Sequence, residues 1–97
     1  MSRTTAAKTK RKRINFNIQA APGSTVCVAG DFNQWNETKK KLTDKKGDGT
    51  FTGCLLLEPG TYEYKLVIDG QWHMDPQCED TVENDQGTLN NVIRINQ

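Results

Sequence analysis

The sequence predicts an all-β protein, an immunoglobulin-like antiparallel β-sandwich, and three observations carry that expectation. Apolar and polar residues alternate with period two in several short runs. Nowhere does an apolar 3.6-residue period persist for three helical turns. Turn-forming residues separate the runs, leaving about seven short strands, the pattern of a sandwich rather than of parallel βαβ units. At 97 residues the chain amounts to one domain with a small core. Its 34% of apolar residues, spread along the sequence, suits a thin sandwich with much exposed surface.

The elements follow in order. Residues 1–13 hold six Lys and Arg, no acid and few apolar side chains, and read as a disordered basic tail. The folded domain is expected over residues 14–97. Ile14, Phe16 and Ile18 alternate with Asn15, Asn17 and Gln19, giving a strand with one apolar face. Ala21-Pro22-Gly23-Ser24 is a turn, and residues 25–29 form a second strand, apolar on both faces. Residues 30–36 form a polar loop around Trp35, residues 39–43 a short edge strand, and residues 45–49 an exposed turn. Strands over 50–57 and 61–68 flank the tight turn Glu58-Pro59-Gly60. Asp69-Gly70 between apolar runs is a strong hairpin signal, with residues 71–74 as the short returning strand. Residues 75–87 read as a polar, acidic loop, and residues 89–95 as the last strand. The alternation assigns Phe16, Val26, Val28, Phe51, Leu55, Leu57, Tyr62, Tyr64, Leu66, Ile68 and Val92 to the core.

Charge and motif content exclude several functions. Beyond the tail, seven basic residues face twelve acidic ones, so the domain is mildly acidic and lacks the basic field of a nucleic-acid reader. Nucleic acid is therefore not an expected partner; a nucleic-acid adaptor would rest on the basic tail alone. No apolar run is long enough to span a bilayer, and no apolar leader opens the chain, so no membrane contact is expected. An odd set of three cysteines does not make a disulfide framework, and the cytoplasm is the expected compartment. The lone His73 has no triad or ligand partner nearby in sequence, the cysteine spacing is not that of a zinc knuckle, and no nucleophile, metalloprotease or phosphate-loop motif is present. Glycoside hydrolysis needs two carboxylates in contrasting environments, and the acids here sit in turns. The chain is thus expected to be non-catalytic, with no metal and no cofactor.

The two tryptophans are the informative residues. Trp35 lies in a polar loop and Trp72 just past a hairpin turn, while the alternation supplies core residues elsewhere. One of them could be the single buried Trp common in sandwiches. The alternative is a sugar platform, since one face of a glucose ring is lined with C–H groups that stack on an indole. Hydroxyls at the rim then need hydrogen bonds, from amides, short hydroxyls or a lysine. Lys65, Thr88, Asn90 and Asn91 are the candidates; Lys65 is opposite in phase to Tyr62, Tyr64 and Leu66 and so points away from the core.

Four segments, in order, resemble carbohydrate-binding module family 48. They are Gly30-Asp31-Phe32-Asn33-Gln34-Trp35 against the family's G-x-F-N-x-W, and the stretch from Gly60 through Tyr64-Lys65 and Asp69-Gly70 to Trp72 against its Y-K and D-G-x-W hairpin. Asp75-Pro76 and Gly87-Thr88-Leu89-Asn90-Asn91 match its D-P and G-T-x-N-N segments. The family includes glycogen-binding modules of kinase beta subunits and N-terminal domains of isoamylases and branching enzymes. The resemblance covers roughly residues 14–96. It implies an immunoglobulin-like sandwich that binds α-1,4-linked glucan (glycogen, starch or maltooligosaccharide) without catalysis. It also implies that Trp35 and Trp72 stack on glucose and that Lys65, Thr88 and Asn90 bond its hydroxyls. In the kinase-subunit modules a leucine precedes G-T and pierces the ring of a cyclic oligosaccharide; here Gln86 stands there, which implies a weaker grip. The competing reading is a protein-interaction or regulatory module acting in trans on a glycogen-metabolising enzyme or a kinase partner.

Overall fold

The computed structural model describes residues 11–96. Its seven strands are β1 (Lys12–Gln19), β2 (Val26–Gly30), β3 (Thr50–Leu57), β4 (Gly60–Ile68), β5 (Gln71–His73), β6 (Thr81–Glu83) and β7 (Leu89–Ile95). Every pairing is antiparallel. β1 and β3 form a two-stranded sheet, and β2, β4, β7 and β6 lie in that order in a second sheet. β5 also pairs with β4, beside Leu66–Ile68, whereas β7 pairs with Gly60–Tyr64. The expected all-β sandwich is therefore observed.

The core forms where the inward faces of the two sheets meet. Phe16 and Ile18 of β1 and Phe51 of β3 pack against Val26 and Val28 of β2 and Tyr64 and Leu66 of β4. Phe16 meets the Tyr64 ring edge-on, with centroids 5.6 Å apart, which ties one sheet to the other. Leu42 completes this cluster and is almost fully buried.

Segment 39–43, expected as an edge strand, makes only isolated bridges, Cys27 with Lys41 and Thr43 with Thr52. It crosses between the sheets: Leu42 N–H donates to Val26 of β2, and one residue later Thr43 exchanges backbone bonds with Thr52 of β3. A segment that changes sheet cannot build a ladder on either. Two further differences concern the ends of elements. β1 begins at Lys12, opposite Leu57, two residues into the expected tail; residues 1–10 lie outside the described residues. The acidic stretch 75–87, expected as a loop, contains β6.

Candidate functional site

The outward face of the larger sheet carries the site, and strand register builds it row by row. Directly opposed residues of antiparallel strands share a face. Cys27 of β2 lies opposite Val67 of β4, which lies opposite Trp72 of β5. The next row pairs Ala29 with Lys65, and beyond it Glu63 lies opposite Val92 of β7. Cys27, Ala29 and Val67 are buried there, although they point away from the core, because the Trp35 ring packs over them. Burial pushes the Cys27 thiol up from its ordinary value, partly offset by the charge of Lys41.

The loop after β2 holds Trp35 in place. Gly30 lies so close to β4 that a Cβ there would come within 2.5 Å of the Glu63 carbonyl oxygen, which is why glycine is required. Asp31–Asn33 forms a single 3₁₀ turn. The buried Asn33 accepts from Gly30 N–H and donates to the Val28 carbonyl, both at 3.0 Å, and Trp35 N–H closes on the Gly30 carbonyl. Gln34 and Trp35 both take left-handed backbone, φ 56° and 58°, a costly conformation for non-glycine residues. Asp31 then fixes the ring: one carboxylate oxygen accepts from Trp35 Nε1 at 3.0 Å and the other from Glu63 N–H at 2.8 Å. With its N–H occupied, the Trp35 indole offers a ring face and not a donor.

Trp72 is placed by the hairpin that the sequence signals. Asp69 and Gly70 both have positive φ, 51° and 82°, as a two-residue type I′ connection requires. The Asp69 carboxylate accepts from Thr25 N–H, tying the hairpin to the start of β2. Trp72 is 44% exposed, and its ring lies 6.3 Å from that of Trp35 with the planes tilted by 48°. Neither tryptophan belongs to the sandwich core, and both stand on the same face.

A polar rim completes an open groove of about 540 Å³ beside the two rings. Six of the seven residues singled out from the sequence, Trp35, Lys65, Trp72, Gln86, Thr88 and Asn90, line it. Lys65 Nζ donates to Thr88 Oγ1 at 3.3 Å, and Asn90 Nδ2 donates to Glu63 Oε1 at 2.9 Å. Asp31, Glu63, Asn84 and Asp85 also line the groove and were not singled out. Glu63 shares the phase of Lys65 on β4, a signal that was available. Asn84 opens the Asn-x-x-Gly turn at 84–87, also a readable signal, because an Asx side chain at such a position bonds the backbone after it.

Asn91, a further candidate from the residues, belongs elsewhere. It is fully buried on the opposite face of β7, donating to the Tyr64 carbonyl and accepting from Asp75 N–H. Tyr64 O–H donates to the buried Asp75 carboxylate at 2.7 Å. Burial first, then the hydrogen bond to Asp75 and the proximity of Asp75 and Cys78, push the Tyr64 phenol far above its ordinary value. The Asp75-Pro76 segment thus pins the sandwich end and does not face the groove. Tyr62, assigned to the core, is only half-buried and donates to the Glu58 carbonyl. Leu55 and Ile68 are also half-buried, packed against the core from its margin.

The matched family model is the glycogen recognition site of AMP-activated protein kinase, over residues 13–97. Among similar proteins are the 5'-AMP-activated protein kinase subunit beta-1 of Sus scrofa, 37% identical over 73 residues, and that of Bos taurus, 38% identical. The beta-2 subunit of Mus musculus is 40% identical over 73 residues. Each alignment covers 75% of this chain, but 56% of the Sus scrofa protein and only about a quarter of the other two. A match to the family model over nearly all of the described fold means that the chain belongs to the family of the glycogen recognition site of AMP-activated protein kinase.

Proposed function

We propose that this protein binds α-1,4-linked glucan, without catalysis, in the groove formed by Trp35, Trp72 and the Lys65–Thr88–Asn90 rim. The observation that carries this reading is the pair of indoles on one face, 6.3 Å apart and tilted by 48°. Two tilted planes make a curved platform, which suits the curved α-1,4 chain better than the flat β-1,4 chain. Each ring stacks on the C–H face of one glucose. Trp35 serves with its outer face, since Cys27, Ala29 and Val67 occupy the inner one. Lys65 and Asn90 contribute N–H groups, Thr88 a hydroxyl, and Gln86 an amide where an apolar finger would grip harder. The family to which the chain belongs supports the same reading.

Binding is modest on this account. The gains from stacking and hydrogen bonds are offset by ordering of the sugar, so a dissociation constant of about 10⁻⁵ to 10⁻³ M is expected. Titration of maltoheptaose, followed by tryptophan fluorescence, tests the reading directly, with cellohexaose as the β-linked control. Saturable change with maltoheptaose and little with cellohexaose is the expected result. Equal response to both, or to neither, contradicts it.

The similar proteins are kinase subunits, and this favours a second role, in trans, toward a kinase or a glycogen-metabolising enzyme. The cytoplasm suits both roles and the three free thiols, Cys27, Cys54 and Cys78. Among the described residues no helix is long and apolar enough to cross a membrane.

A further inference from the structure

The rim of the groove is held together by one side chain that sequence reading passed over. Asn84 is half-buried at the start of the turn between β6 and β7. Its Oδ1 accepts from the backbone N–H groups of Gln86, at 3.0 Å, and Thr88, at 3.1 Å. Backbone N–H groups can only donate, so these two bonds fix which end of the amide is oxygen. Its Nδ2 donates to Thr88 Oγ1 at 2.7 Å and to Asn90 Oδ1 at 3.1 Å. An amide has two acceptor positions and two N–H donors, and here all four are used. Asn84 lines the groove but has no bond left to offer a ligand.

The consequence falls on its neighbours. Thr88 Oγ1 accepts from Asn84 and from Lys65, which fills both of its lone pairs. Its own hydrogen is then free only to donate. Asn90 accepts through Oδ1 from Asn84 and gives one N–H to Glu63, which leaves its second N–H free. Lys65 has only donors. Thr88 and Lys65 can then only donate to a ligand, and Asn90 adds one free N–H beside its one remaining acceptor position.

We propose that Asn84 is a positioning residue that sets the polarity of the rim, so that Thr88 joins Lys65 in donating into the groove, with the free N–H of Asn90 beside them, and the ligand presents oxygen acceptors there. This rests on the glucan-binding reading and adds the orientation of its hydrogen bonds. Ring-facing hydroxyls and glycosidic oxygens of the sugar serve as acceptors, while hydroxyl hydrogens must find partners elsewhere, such as Glu63 or Asp85 in the same groove.

Asn84→Asp is the discriminating variant. A carboxylate still accepts from Gln86 and Thr88 N–H, so the turn is kept. It no longer donates to Thr88 or Asn90, and the Thr88 hydroxyl turns to donate to it instead. Maltoheptaose affinity should fall about fivefold to tenfold, the loss of one to two hydrogen bonds, with the melting temperature unchanged. Thr88→Ala should weaken binding in the parent and have no further effect in the Asn84→Asp background, a coupling that a merely structural role would not produce. Parental affinity in a folded Asn84→Asp protein overturns the proposal and leaves the glucan reading standing. No binding by the parent overturns both. The parent alone gives an independent check, should Asn84→Asp melt earlier. Maltooligosaccharides with one hydroxyl replaced by fluorine, which accepts but cannot donate, should outbind those with hydrogen at the same position. Equal losses at every position would contradict a donating rim.

Discussion

Asp31 does two things at once, and its loss should show in both. Its carboxylate holds the Trp35 indole N–H and satisfies Glu63 N–H on the neighbouring strand. Asp31→Ala frees the ring and leaves both donors without a protein partner. Because the site is exposed, water replaces part of what is lost, and a stability cost of about 1 kcal/mol is expected from urea unfolding. Maltoheptaose affinity should fall more than stability does, since the ring loses its fixed plane. Gln86 makes the opposite prediction. It is exposed and lines the groove. Gln86→Leu replaces an amide by an apolar finger, and burying roughly 40 Å² against a sugar at about 25 cal/mol/Å² tightens binding about fivefold. A titration in which the leucine variant binds no better than the parent would remove Gln86 from the account of affinity.

At the scale of elements, the hinge of the site is the junction of β2 and β4. Gly30 sits where the strand passes into the Trp35 loop, and Gly30→Ala would drive a methyl into the Glu63 carbonyl and the Tyr64 Cβ. The strands must separate locally, at an expected cost of about 1–3 kcal/mol in denaturant unfolding, with Trp35 displaced and sugar affinity lowered in parallel. At the other end of β4 the Tyr64–Asp75 bond gives a pH signature. The folded phenol titrates well above the unfolded one, so its contribution is fully present below about pH 10, the unfolded value. It is lost as pH rises beyond that, because only the unfolded chain can ionise. Tyr64→Phe should therefore be less stable at neutral pH and should lack this share of the alkaline decline. Parallel stability profiles of parent and variant from pH 8 to 11 would contradict the assignment.

These elements also show what was legible in the sequence. The strands β1 to β5 and β7 are written in alternation and turn chemistry, since each has its own apolar face or its own Asp-Gly or Pro-Gly turn. β6 is not, because Thr81-Val82-Glu83 is exposed throughout and pairs only through its backbone with β7. Leu42 was hidden for another reason. It is the lone apolar residue in a lysine-rich stretch, and only the crossing of that stretch between sheets buries it. Leu42→Ala should cost about 2–5 kcal/mol, as deletion of a packed core leucine does.

For the molecule as a whole, the sandwich divides its aromatic residues by face. Phe16, Phe51 and Tyr64 fill the space between the sheets, while Trp35 and Trp72 stand outside it. The expectation of a platform came from Trp35 in a polar loop and Trp72 just past a hairpin turn, where core positions are few. Lys65 was expected to point outward from its phase on the strand, and Thr88 and Asn90 were candidates from their hydrogen-bonding chemistry and the family resemblance. Glu63 and Asn84 left local signals, the phase of β4 and the Asn-x-x-Gly turn, but the bond between Glu63 and Asn90, 27 residues apart, leaves none. Asn91 was misplaced for a related reason: adjacent to Asn90 in sequence, it faces the other side of the same strand and is fully buried.

The central claim is that the two indoles form one sugar platform. A maltoheptaose titration of the parent, Trp35→Ala and Trp72→Ala, followed by backbone amide shifts, tests it most directly. The account predicts saturable shifts in the parent, clustered on Glu63 to Val67, Gln71 to His73 and Gln86 to Asn90. Each alanine variant should stay folded, with Trp35→Ala the less stable because it uncovers Cys27, Ala29 and Val67. Each should bind about tenfold or more weakly, as loss of a central aromatic contact does. Parental affinity in either folded variant, or shifts gathered on the opposite sheet, β1 and β3, would contradict the claim.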